Sequence, residues 1–124
     1  MKIQEWTKHM FDMKNSFKKI YTSITVQDEQ TVLLQTKSEK KQVFCAKKLE
    51  KKENYDLFSC ENTKENIKIL YDQWELFSQK PHTIFFVNLK TGSYWAINPQ
   101  NHQKIVEKSK LYKSLLTLYE NSLV

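Results

Sequence analysis

Apolar residues recur at helical intervals from Met1 to about Lys18: Ile3, Trp6, Met10, Met13 and Phe17 are spaced three, four, three and four apart, on one stripe. The spacing predicts a helix packed by that face. The period then shortens to two. Ile20, Thr22, Ile24 and Val26 alternate with Tyr21, Ser23 and Thr25, and the β-branched content favours a strand. Asp28-Glu29-Gln30 reads as a turn, residues 31–37 with Val32, Leu33 and Leu34 as a second strand, and residues 38–41 as a polar break. Residues 42–49 resume the apolar pattern, and Val43-Phe44-Cys45-Ala46 is apolar on both faces, as an interior strand is. Lys51-Lys52-Glu53-Asn54 has turn polarity and residues 55–60 read as the next strand, so successive polar breaks predict an antiparallel meander. A turn centred between Lys52 and Glu53 sets Cys45 opposite Cys60. Such a pair suits a redox switch or metal clip, or two packed core thiols; no C-x-x-C motif and no histidine at ligand spacing accompanies it.

Asn62 to Glu65 carries a helix N-cap with an acid three residues on. Ile67, Leu70, Tyr71, Trp74 and Phe77 then form one apolar face until Lys80-Pro81, where proline ends the helix. Residues 83–89 are almost uninterruptedly apolar and follow a strand-then-helix unit, which predicts a parallel crossover. Gly92, the chain's only glycine, marks a hairpin turn from which residues 94–97 return antiparallel. Asn98 caps a further helix with Pro99 at its first position, where no amide proton is needed. The remainder, with Leu111, Leu115, Leu116, Leu118 and Tyr119, reads as one helix or as two broken near Ser109. The expected architecture is α/β: a mixed sheet with an antiparallel meander, one crossover helix, a β-hairpin and flanking N- and C-terminal helices, in a single domain over residues 1–124.

Composition narrows the chemistry. All 20 basic residues are lysine, against 14 acids, giving a net charge of +6. Lysine is a flexible point charge that suits a phosphate backbone; the bidentate fork that reads guanine belongs to arginine, which is absent. A single glycine excludes a phosphate-cradling glycine loop. The longest purely apolar run, Ile84 to Val87, is far shorter than a membrane span, and Cys45 and Cys60 suit a reducing compartment, so a cytoplasmic protein is expected.

The order of elements resembles the restriction endonuclease-like superfamily, whose archaeal Holliday junction resolvases carry an N-terminal helix, a meander, a crossover helix and a further strand pair. Asn62-Thr63-Lys64-Glu65-Asn66, Phe86-Val87-Asn88 and Trp95-Ala96-Ile97-Asn98-Pro99 are also similar to segments of small uncharacterised archaeal proteins. The resemblance implies carboxylates that hold Mg²⁺ against a scissile phosphate, with a lysine placing the attacking water. Carried over residue by residue, it points to Glu5 for the helix acid and to Glu61 with Lys64 for the strand motif. The motif is not intact: Thr63 stands two places after Glu61, and Lys64 falls inside the helix start. Asp28 with Gln35-Thr36-Lys37 is a second partial match, set two strands too early, and Asp28 and Glu29 also fit a simple turn. Mg²⁺ is expected only if a nuclease centre survives; otherwise no cofactor is implied. His9, His82 and His102 are isolated in sequence and read as surface or cap-adjacent residues.

The stronger signal is basic. Between Lys37 and Glu53 lie seven lysines and three acids, an excess of +4 (7 − 3). Lys40, Lys41, Lys47, Lys48, Lys51 and Lys52 are therefore candidate contacts to DNA or RNA phosphates, with Trp95 or Tyr94 as a base-stacking platform. The competing reading is protection of an exposed strand edge. Leu111, Leu115 and Leu118 form a C-terminal stripe that serves either the core or a homodimer, and Ser122-Leu123-Val124 resembles a PDZ-domain ligand. The sequence thus predicts a small nucleic-acid-binding protein without intact nuclease chemistry; the alternatives are a divergent metal-dependent nuclease and a protein-interaction or homodimerisation subunit.

Overall fold

The computed structural model describes residues 1–123 and contains one six-stranded mixed sheet in sequential order. Helix α1 (Ile3–Lys18) precedes β1 (Ser23–Asp28), β2 (Thr31–Gln35) and β3 (Lys40–Cys45), which pair antiparallel. Strand β4 (Leu57–Glu61) joins β3 in parallel, and α2 (Lys64–Asp72) and α3 (Trp74–Ser78) lead to β5 (Thr83–Val87), parallel to β4. Strand β6 (Tyr94–Ile97) closes the sheet antiparallel to β5, followed by α4 (Pro99–His102), a 3-10 turn (Lys108–Lys110) and α5 (Leu111–Asn121). The expected α/β architecture with flanking helices is present. No helix among the described residues is long and apolar enough to cross a membrane.

Both faces of the sheet carry core, which explains the nearly continuous apolar runs of β3, β4 and β5. Against one face α1 packs Ile3, Trp6, Met10 and Phe11 onto Val32, Leu34, Val43, Cys45, Phe85 and Val87. The other face presents Phe44, Phe58, Ile84 and Ile97, each paired to the next across the strands, beneath Ile67, Leu70, Phe77, Leu111 and Leu115. Each fully buried Phe or Leu here contributes about 1.5–3 kcal/mol of transfer free energy.

Several expectations need correction. Strands β3 and β4 run parallel, so the meander is confined to β1–β3 and residues 46–56 form a crossing connection rather than a hairpin. Consequently Cys45 lies opposite Ser59, and the thiols belong to the cores on opposite faces of the sheet, so the two cysteines are not neighbours. The helix cap is Thr63, whose hydroxyl accepts from the Asn66 amide, and the helix breaks at Gln73 into α2 and α3. The first strand begins at Ser23, leaving Ile20 exposed. In α1 the buried surface takes in polar Gln4 and Thr7, while Met13 and Phe17 stand outside it, 54% and 85% exposed. His82 is buried, with 2% exposure, rather than superficial. The C-terminal break falls between α4 and the 3-10 turn, starting before Ser109.

Candidate nucleic-acid interface

The connection 46–56 carries Lys47, Lys48, Lys51 and Lys52, and its path is fixed from beneath. Leu49 is buried in the core against α2. Asn66, in the first turn of α2 and 1% exposed, clamps the segment: its Oδ1 accepts from the Leu49 amide at 2.8 Å, and its Nδ2 donates to the carbonyls of Lys47 (2.7 Å) and Glu61 (2.8 Å). Tyr55 holds the far end, stacking edge-on against Phe44 at 5.3 Å with its hydroxyl 2.8 Å from the Thr31 hydroxyl. An irregular segment pinned by buried partners keeps its charges in place without a helix.

Lys51 and Lys52 lie over the sheet rather than at a hairpin tip. The Lys51 ammonium lies 5.8 Å from the Phe58 ring centre and that of Lys52 5.7 Å from Phe44, so both stems cover the face that holds α2 and α5. Beyond Phe44 and Thr31 the same face continues into β1–β3, where Ser23, Thr25 and Lys40 are exposed and Leu33, Gln35 and Gln42 half-buried. Lys41 pairs with Leu34 and therefore projects to the α1 face, away from Lys40. Lys41, Lys48 and Lys52 meet Glu39, Glu65 and Glu50 at 3.5, 3.5 and 3.3 Å. These exposed pairs are worth about 0–1 kcal/mol each, so their ammonium groups exchange readily onto another anion. Lys40 and Lys47 have no carboxylate within ion-pair distance among the described residues.

Trp95 is used internally. Its ring stacks on Phe86 at 4.4 Å and 12°, and its indole N–H donates to Asn62 Oδ1 at 2.9 Å. Asn62 in turn donates to the Tyr119 carbonyl, tying β6 and α5 to the end of β4. Tyr94 faces the opposite side, edge-on to Trp6 at 5.2 Å. Leu111 and Leu115 are consumed by the core and Leu116 and Tyr119 pack against it, so α5 spends most of its apolar stripe inside the molecule. Of Ser122-Leu123-Val124, the last residue lies outside the described residues; the Ser122 carbonyl accepts from Ser93 at 3.2 Å.

The acidic candidates stand apart. Glu5 accepts from the Lys2 amide at 3.3 Å at the head of α1, and Asp28 from the Gln30 amide at 2.8 Å in the β1–β2 turn. Glu61 ends β4, and Lys64 opens α2 off that strand. Among the described residues no three His, Cys, Asp or Glu side chains converge as metal ligands. Asp28 and Glu29 do border a cleft of about 670 Å³ with Lys2, Lys47 and Tyr55. Burial pushes the Cys45 thiol up to about 11, against a Thr7 hydrogen bond that lowers it, and raises Cys60 well above its ordinary value. Desolvation, then the Lys51 charge, lowers the His82 pKa.

Comparison with protein-family models, with curated proteins and with solved structures finds no match to this chain. Of the residues that organise this region, Asn66 and Tyr55 carry no role in the sequence-based expectations, and Asn62, expected as the helix cap, instead ties β4 to β6 and α5. Asn66 alone left a signal, a polar residue directly beside Ile67 at the start of an apolar helix face.

Proposed function

We propose that this chain is a cytoplasmic nucleic-acid-binding protein that grips phosphates through lysine and reads little or no base sequence. The observation that carries this reading is the clamped connection 46–56, pinned by Asn66 at Lys47 and Leu49, which carries four lysines and lays Lys51 and Lys52 over the face that continues into the polar rows of β1–β3. Pre-positioned cations lose less entropy on binding than cations on a loose loop. Absence of arginine favours contact with the backbone over base edges. Two buried free thiols support a reducing compartment. The restriction endonuclease-like resemblance remains part of the proposal as an ancestry, with no metal needed for binding.

The test is a titration of fluorescent duplex, single-stranded and four-way-junction DNA at two salt concentrations, with and without Mg²⁺, with cleavage followed in the same samples. Binding should weaken with a log-log salt slope of about −0.9 per phosphate neutralised on duplex. Changing Lys47, Lys48, Lys51 and Lys52 together to Gln should weaken it at every sequence alike. Salt-independent affinity, or an isotherm unmoved by the fourfold change, defeats the reading. Metal-dependent cutting that disappears in Glu61→Ala replaces it with the nuclease alternative.

A further inference from the structure

A second surface lies on the α1 side of the sheet and is independent of the lysine connection. The apolar stripe of α1 is covered only along its first half: Trp6 and Met10 are buried, whereas Met13 is 54% and Phe17 85% exposed. Gln4 and Thr7 meanwhile sit inside, Thr7 satisfied by the Ile3 carbonyl at 2.7 Å and the Ser59 hydroxyl at 2.8 Å. The stripe therefore faces the sheet through Ile3, Trp6 and Met10 and leaves it at Met13 and Phe17. The turn between β5 and β6, at Leu89 to Gly92, supplies a second wall, and Tyr94 part of the floor. The result is a groove of about 620 Å³. Contiguous exposed apolar surface of this kind, rimmed by charge, marks an interaction site in a soluble protein.

Two properties define what fits. All three methionines of the chain, Met1, Met10 and Met13, line the groove, and unbranched polarisable thioethers adapt to partner side chains of varied shape. Its charged rim is of one sign. Among the described residues Lys14 and Lys90 border it and no carboxylate does; Glu5 accepts from the Lys2 amide, and Asp12 pairs with Lys8 at 2.6 Å. The Lys14 ammonium lies 5.6 Å from the Tyr94 ring centre, over the groove floor, where it would meet the flank of an incoming segment.

We propose that this groove docks an acidic amphipathic helix of a partner protein. Helix α1 offers 16 residues, about 24 Å, which matches a partner of roughly four turns with apolar anchors at i, i+3 or i+4, and i+7. Glutamates flanking those anchors complete the charge complementarity with Lys14 and Lys90. A second copy of this chain fits less well, because an isologous contact would bring the lysine rim against itself. A membrane surface fits less well too: Trp6 and Met10 lie buried at the bottom of a concavity, out of reach of a lipid layer.

Selective ¹³C labelling of the methionine methyls reports on the groove, since all three methionines lie there. Two synthetic helical peptides of about four turns, with the same Leu/Phe stripe but flanked by Glu in one and Lys in the other, are titrated at low salt. The Glu peptide should shift the three methyl signals saturably and bind at least about tenfold tighter than the Lys peptide. Phe17→Glu, at a position exposed enough to leave the fold intact, should weaken the Glu peptide at least about tenfold while the free protein's Met10 signal stays in place. Lys14→Glu with Lys90→Glu should reverse the preference. Equal binding of the two peptides, or no methyl shift with either, overturns the proposal. So does self-association that Phe17→Glu abolishes, which assigns the groove to a second copy, or a Met13 shift produced by phosphatidylserine vesicles alone, which assigns it to lipid. Substituting the four lysines of the connection 46–56 should leave peptide binding unchanged, so this test and that of nucleic-acid binding fail separately.

Discussion

Asn66→Ala is the perturbation that most directly tests the clamp beneath the basic connection. The substitution removes three side-chain hydrogen bonds at 2.7–2.8 Å and leaves one amide and two carbonyls facing a methyl group. Each bond contributes a net of about 1 kcal/mol, and buried groups left without partners add to that, so the expected loss is about 3–5 kcal/mol. Against a typical total of about 5–15 kcal/mol this is a large fraction. Urea unfolding followed by circular dichroism measures it, and hydrogen exchange at the Leu49 amide shows whether the loss is local. Thr63→Ala is the control: it removes one capping bond from the same helix turn, at 3.2 Å, and should cost about 1 kcal/mol. Asn66→Asp should be damaging despite its matching shape, because a carboxylate offers two acceptors where the Lys47 and Glu61 carbonyls need a donor. If Asn66→Ala costs no more than Thr63→Ala and Leu49 keeps its protection, the connection is held by something other than this side chain.

The remaining expectations concern the core and the helix end. His82 has its pKa lowered in the fold, so below about pH 6.5 the unfolded chain binds the proton first; stability should be full above that pH and fall as pH drops towards the folded-state value. His82→Phe should flatten that decline in unfolding measured from pH 7.5 to 5, leaving the part due to His102, which burial lowers likewise; an unchanged slope would place the proton uptake elsewhere. Cys45 and Cys60 should react with a thiol reagent only at the rate of global unfolding and should form no mutual disulfide, and rapid labelling of one thiol in the native protein would contradict their burial. Lys19 ends α1 at φ 47°, ψ 50°, so Lys19→Gly should stabilise by about 1 kcal/mol, visible as a higher melting temperature; a lower one would show that the ammonium contributes more than the strain. Leu115→Ala, at a fully buried position, should cost about 2–5 kcal/mol, and a loss below about 1 would mean that α5 is not part of the main core.

Local chemistry made much of the fold legible. Proline at the first position of α4 and the Asn98 cap, which accepts from the Asn101 amide, are fixed by neighbours in sequence. The same holds for the β5–β6 hairpin, where Gly92 adopts φ 79°. Strand direction between β3 and β4 is not a local property: a polar run such as Lys51-Lys52-Glu53-Asn54 looks the same whether the chain reverses or crosses. Two signs did favour crossing. Val43-Phe44-Cys45 and Phe58-Ser59-Cys60 are buried on both faces, as parallel strands are, and Leu49 and Tyr55 flank the polar run, where a crossing chain packs them against α2 and Phe44. The α1 stripe misled for a related reason, since periodicity identifies a helix but leaves open how the helix is rotated on its sheet.

That single change of strand direction alters the electrostatics of the candidate site. An antiparallel hairpin would carry Lys51 and Lys52 past the end of the sheet as a charged tip, with Lys47 and Lys48 on the strand leading to it. The crossing connection lays Lys51 and Lys52 over Phe58 and Phe44, beside Lys40 and the polar rows of β1–β3. Cations arranged on a face meet a backbone running across it and give contacts spread over several phosphates, which favours shape-tolerant binding. Trp95 lies three strands away from β3, about 14 Å at ordinary strand spacing, with its ring and indole N–H already engaged. Base stacking on that ring would break the Phe86 contact and the Asn62 hydrogen bond, so the proposed phosphate contacts rest on the lysines and not on an aromatic platform.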